Sequence, residues 1–147
     1  MVNVQQHVID CDAAPFVPKG WSVEEHQKGG QFKFDPAQVR FYLSKPQQNE
    51  KWIKGNELRK ELSGKPVLNA NILDYLFTHP HLIPESWKKD EQGRTRHIFF
   101  WGTIYRDANG DLCVRCLYFF GGRWDWGDHW LGIGWSGRCP VALRASN

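Results

Sequence analysis

The residues best suited to chemistry lie in the last third of the chain. The segment GGRWDWGDHWLGIGW carries Trp124, Trp126 and Trp130, with Trp101, Tyr105 and Arg115 in the two apolar runs before it. Such rings could stack on a sugar or a nucleobase while Arg115 and Asp128 fix polar groups, which makes an aromatic ligand platform one reading. The same side chains could equally form a thick core, because tryptophan is mostly buried. Both readings stand.

Two further sets could carry chemistry. Cys113-Val-Arg-Cys116 has the spacing of a metal knuckle, and His79-Pro-His81 could add imidazoles to it. On a strand, however, residues i and i+3 point to opposite faces, whereas a knuckle needs thiolates converging from a turn. No stoichiometric metal is therefore expected in the protein, and the four cysteines read as reduced, mostly buried thiols. Asp10, Asp12, Asp125, Asp128 and His129 could serve acid–base work, but nothing in their spacing brings two titratable groups together. There is no Walker loop, nucleophile elbow, His-Glu-x-x-His pair or dinucleotide fingerprint. No catalytic residue and no cofactor is assigned.

These residues must be positioned by elements that the sequence pattern outlines. HIFFWGTIYR, DANGD, LCVRCLYFF, GG and RWDWGDHWL read as a three-stranded antiparallel meander with two tight turns. With Gly110 as a left-handed bulge residue, Tyr105 faces Cys113, Thr103 faces Arg115, Trp101 faces Leu117 and Phe99 faces Phe119. A two-residue turn at Gly121-Gly122 sets Trp124 opposite Phe119, Trp126 opposite Leu117 and Asp128 opposite Arg115. One face then holds Trp101, Tyr105, Arg115, Trp124, Trp126, Asp128 and Trp130, the candidate ligand-binding residues, with Arg115 and Asp128 as a cross-strand ion pair. Ile98, Phe100, Gly102, Ile104, Val114, Cys116, Tyr118 and Phe120 fall on the other face, with Asp125 and His129 added by the third strand. Both faces are apolar, so each must be covered or serve as an interface.

Upstream, Trp21 and Val23, the KGGQ turn at Lys28 to Gln31, and Phe32 and Phe34 suggest an N-terminal hairpin. Val39, Phe41 and Leu43 alternate as a further strand that Lys45-Pro46 should end. Asn56 can cap a short helix bearing Leu58 and Leu62, with Gly64 and Pro66 ending it. A second helix starts near Asn69 or Asn71 and carries the stripe Ile72, Leu73, Leu76 and Phe77 until Pro80, and one more turn is expected at Pro84 to Trp87. The class is α+β, as a single domain over 1–147.

Composition bounds the function. The 147 residues carry 19 Lys and Arg against 16 Asp and Glu, a net charge of +3, too weak a bias to mark an electrostatic nucleic-acid binder. The Lys51 to Lys65 basic run is interrupted by Glu50, Glu57 and Glu61 and reads as a solvated helix face. With 8 Trp, 9 Phe and 4 Tyr the chain has ample apolar surface to offset the entropy of ordering. No stretch is long and apolar enough to span a bilayer, and the start lacks a basic segment followed by an apolar one, so a cytoplasmic protein with no membrane partner is expected. The expected function is a non-catalytic binding or protein-interaction domain using the aromatic face, with a homodimer as one form. The alternatives are a single-stranded nucleic-acid-binding protein and a small hydrolase-type enzyme using Asp and His.

The runs LNANILDYLFTHPHLIPESWK and FFWGTIYRDANGDLCVRCLYFFGGRWDW resemble a group of small uncharacterised bacterial proteins. The resemblance extends to IDCDAAPF, GWSVEEHQKGGQ and GNELRKEL, nearly the whole chain. It implies a bacterial single-domain protein and brings no activity, cofactor or site residue with it.

Overall fold

Turn chemistry sets the C-terminal half. Gly110 (φ 83°), Gly121 (63°) and Gly122 (80°) take the left-handed conformations that tight hairpin turns require. Around them a computed structural model, which describes residues 6–145, shows the elements in order. The first half forms β1 (Val8–Asp10), β2 (Ser22–His26), β3 (Gln31–Lys33), β4 (Val39–Tyr42), α1 (Lys45–Gln48), β5 (Ile53–Lys54), α2 (Gly55–Glu61) and α3 (Ala70–Thr78). The second half adds β6 (Ile98–Phe99), β7 (Thr103–Arg106), β8 (Leu112–Phe120), β9 (Arg123–Trp130), β10 (Gly134–Trp135) and β11 (Val141–Arg144), with 3-10 turns at Pro80–Leu82 and Glu85–Trp87. The class is α+β, and the pairing is antiparallel except between β6 and β11.

The seven-stranded sheet is organised by β8. One edge of β8 pairs with β9 along its length, in the register read from the two-glycine turn: Phe119 with Trp124, Leu117 with Trp126, Arg115 with Asp128. Its other edge pairs first with β7, where Tyr105 meets Cys113 as expected, and then with β6. Beyond β6 lie β11 and β4, and beyond β7 lies β2.

Between β7 and β6 the expected register fails. Tyr105 pairs with Cys113 and Phe99 with Cys116, so six residues on one strand (105 − 99) match three on the other (116 − 113). The three extra residues leave the ladder around Trp101-Gly102. Gly102 instead donates to the Leu68 carbonyl (2.9 Å) and accepts from the Gln27 N–H (2.7 Å). Only glycine fits there, because a Cβ would stand 2.8 Å from the Asn69 backbone. An odd shift exchanges the faces. Ile98 and Phe100 therefore join the front core with Leu117, α3 and Trp87, while Phe99 and Trp101 join the rear core with Val114, Cys116, Leu58, Leu131 and Trp135.

The N-terminal hairpin is also corrected. β2 pairs with β7, and β3 pairs with β1 in a separate two-stranded sheet. Alternation on both sides of the glycines marks two strands but does not say that they pair; Gly30 instead accepts from the Cys11 N–H at 2.8 Å. The helices lie where expected, but Asn56 does not cap α2, which begins at Gly55 with Lys54 as its N-cap and no side-chain cap bond; α3 is capped by Asn69, whose side-chain oxygen accepts from the Asn71 N–H. The Asn69 amide also donates to the carbonyls of Cys11 (2.9 Å) and Gln27 (3.0 Å), which ties the N-terminal loop to the start of α3. Five elements went unread: α1, where Gln47 accepts from the Ser44 N–H, and the short strands β1, β5, β10 and β11. Among the described residues no helix is long and apolar enough to cross a membrane.

Candidate functional site

The front face of β8–β9 is where the aromatic platform was expected, and there Arg115 is fully buried. A cation in that position needs a partner, since its desolvation is otherwise uncompensated. The partner is not Asp128 across the strand but Asp74 on α3, with Nη1 donating to Oδ2 at 2.9 Å and Nη2 to Oδ1 at 2.8 Å. The stripe Ile72, Leu73 and Leu76 sets α3 on the sheet, and Asp74 stands beside that stripe, at the rim of the buried face. The guanidinium lies over the Trp126 ring at 4.1 Å, with Phe16 at 5.3 Å and Tyr105 at 5.8 Å. Tyr105 is itself buried, and its hydroxyl donates to the Phe16 carbonyl at 2.8 Å. Arg115, Tyr105 and Trp126 thus come together as a closed unit whose forked donors are already used.

The other expected site residues are spread around this unit. Trp124, half-buried, packs edge-on against Phe119 at one end of the ribbon. Trp130, 44% exposed at the other end, donates its indole N–H to Asp107 at 2.9 Å. The Asp128 carboxyl is pushed above the usual carboxylate range, first by desolvation and then by the Asp107 charge, and it sits with Cys113 on the front. Trp101 is not on this face: it lies in the rear core, with its ring 4.9 Å from Trp135.

The cysteine pair behaves as strand alternation requires. Cys113 belongs to the front and Cys116 to the rear, and both are buried. Burial pushes the Cys113 thiol up to about 12 and Cys11 to about 11, so neither is a thiolate at neutral pH. As the side chains stand, no three His, Cys, Asp or Glu residues among the described ones gather closely enough to hold a metal ion.

The rear of the same ribbon is open. Tyr118 and Gly127, with His97, His129, Ser136, Arg138 and their neighbours, line a groove of about 410 Å³, within the range of roughly 300–1,000 Å³ usual for small-ligand sites. Gly127 makes the depression, since a Cβ there would press to 3.3 Å of the Tyr118 ring. The His97 ring lies 5.1 Å from that of Tyr118, tilted by 32°. His129 is fixed by a 2.8 Å bond from Nε2 to the Gly134 carbonyl, which assigns the proton to Nε2 and leaves Nδ1 as an acceptor. Arg138 forms no ion pair among the described residues. A second depression of about 370 Å³ is different in kind, because Arg94 on its wall is already paired with Asp90 and Glu50.

Sequence reasoning missed His97 and Arg138. They meet because β6 runs parallel to β11, and the His97 N–H donates to the Arg138 carbonyl at 2.9 Å. No local pattern announces such a long-range pairing. The arrangement also separates the acid from the base: Asp128 and His129 alternate along β9 and point to opposite faces, so they form no proton-transfer couple. Comparisons with protein-family models, curated proteins and solved structures found no match.

Two predictions follow from this geometry. Asp74→Ala strands the buried Arg115 charge and should cost about 3–5 kcal/mol in urea unfolding, with much of it recovered when Arg115→Met is added. A loss below about 1 kcal/mol would show the pair to be peripheral. The second concerns pH. Burial, then the Arg138 charge, hold His97 below its ordinary value of about 6.5. Below that value the unfolded chain takes up a proton that folded His97 resists, so stability falls as pH drops from 7.5 to 5. His97→Gln should flatten this part of the Tm-against-pH curve; an unchanged slope would contradict the burial.

Proposed function

We propose that the protein is a non-catalytic binding domain that holds a small, flat, negatively charged ligand in the rear groove. The ligand's ring lies against Tyr118 and His97, and its anionic group meets Arg138. The observation that carries this reading is the groove itself: a missing side chain at Gly127 between ring-bearing walls, with a cation beside it that no acidic group in the described chain claims. Aromatic walls with a few polar anchors are the usual composition of ligand sites. The aromatic sheet surface is kept as the binding element, but on the face opposite the one expected.

One observation favours a second reading, single-stranded nucleic acid. Phe120 is 71% exposed and follows Tyr118 along the same face of β8, offering a second ring for a neighbouring base. The motive for a homodimer, an uncovered apolar sheet face, is weakened, since α3 covers the front and α2 with the β10 region covers the rear.

Calorimetric titration with nucleoside monophosphates, aromatic carboxylates and a short single-stranded oligonucleotide tests both. Arg138→Ala should weaken binding about ten- to hundredfold, the worth of a charged hydrogen bond. Gly127→Val, which fills the groove, should abolish small-ligand binding with the fold retained by circular dichroism. Binding unaffected by either change, or no binding to any probe by the parent, would reject the groove.

A further inference from the structure

A smaller cavity, of about 170 Å³, lies where the end of β11 meets the loop after β2 and the segment leading into α3. It shares no lining residue with the rear groove. Backbone bonds hold its walls. The Arg144 N–H donates to the Pro66 carbonyl at 2.8 Å and the Leu68 N–H to the Ala142 carbonyl at 3.0 Å, so the chain before α3 runs beside β11. On the opposite side the Asn69 amide holds the carbonyls of Cys11 and Gln27. Phe32, Leu68, Ile72 and the neutral Cys11 thiol, all buried, make an apolar floor, and Pro66 and Val67 continue it toward solvent.

The mouth carries charge of one sign. Lys28 and Arg144 both line the cavity and both are exposed. Among the described residues neither makes an ion pair. Asp10 and Asp12 flank Cys11 in sequence but do not line the cavity, and their carboxylates accept from the N–H groups of Asp12 (3.0 Å) and Gly30 (2.9 Å). An apolar pocket with two unclaimed cations at its rim is complementary to an anion that carries an apolar tail.

Size and wall chemistry decide the tail. The volume is below the roughly 300–1,000 Å³ of drug-sized sites, and it holds about five or six groups of the size of water, at roughly 30 Å³ each. The aromatic wall is Phe32, and the Arg144 guanidinium already lies over that ring at 5.2 Å. The remaining apolar walls, Pro66, Val67, Leu68 and Ile72, suit an alkyl chain better than a flat ring. A carboxylate matches the forked donors of the guanidinium.

We propose that this cavity binds a short-chain alkyl carboxylate, with its chain against Val67, Leu68 and Ile72 and its carboxylate between Lys28 and Arg144. The site is independent of the rear groove, and its ligand joins the loop after β2 to the end of β11.

The test is titration of the isotope-labelled full chain at pH 7.5 with sodium butyrate, hexanoate and decanoate, read by amide chemical shifts. Hexanoate should move the Gly29, Leu68 and Ile72 amides and leave that of Gly127 in place, so this site and the groove fail independently. Each methylene added between butyrate and hexanoate should tighten binding about fourfold, and the gain should stop before decanoate, whose chain outgrows the cavity. Hexanamide, which lacks the charge, should bind about tenfold more weakly than hexanoate, and the Lys28→Gln, Arg144→Gln double variant should lose hexanoate affinity to a similar extent. Both residues are exposed, so the variant keeps the fold, as circular dichroism checks. No shift with hexanoate at tens of millimolar, affinity still rising through decanoate, equal binding of hexanamide, undiminished binding by the double variant, or shifts centred on Gly127 would each overturn the site.

Discussion

The structure turns on one buried ion pair, Arg115 with Asp74. A guanidinium with no solvent exposure in the middle of β8 is tolerable only if a carboxylate meets it in forked geometry, and α3 is the element that brings one. The pair fixes where α3 sits on the sheet, and with it the cap at Asn69, the loop that Asn69 holds and the contact that excludes any side chain at Gly102. Trp126 stacks on the guanidinium and Tyr105 pins the loop at Phe16, so the front of the ribbon is closed by its own chain.

Closure of the front gives the rear its interest. The same alternation that turns Arg115 and Trp126 inward turns Tyr118, Gly127 and His129 to the other side. There the parallel contact of β6 with β11 adds His97 and Arg138. A groove with rings, a histidine held neutral by burial and a cation free of any acid in the described chain can bind an anion. Asp128 also lines the groove, but its carboxyl turns toward Cys113 and Asp107 on the front, while Asp125 stands across from Tyr118 on the rear.

Much of this was legible in the sequence where structure is local. The Asp-Ala-Asn-Gly and Gly-Gly turns set both hairpin registers next to them, Asn69 marked the start of α3, and the i, i+3 rule placed Cys113 and Cys116 on opposite faces. What escaped depends on contacts distant in sequence. Trp101 changed face because Gly102 is drawn to Leu68 and Gln27, and β2 and β3 parted because each found a partner elsewhere. Arg115 chose Asp74, 41 residues away, over its cross-strand neighbour Asp128. The cross-strand position was read correctly, yet a helix carboxylate offered the better fork.

Solvent access on the two faces is the most direct measure of this division. In a labelled sample, a neutral gadolinium chelate should broaden the ring signals of Tyr118 and His97 and the Gly127 amide. The Arg115 Nε–H, which is buried without a partner, should stay sharp and exchange slowly. Strong broadening of the Arg115 and Tyr105 side-chain signals, with the Tyr118 and Gly127 signals protected, would reverse the assignment of core and binding face.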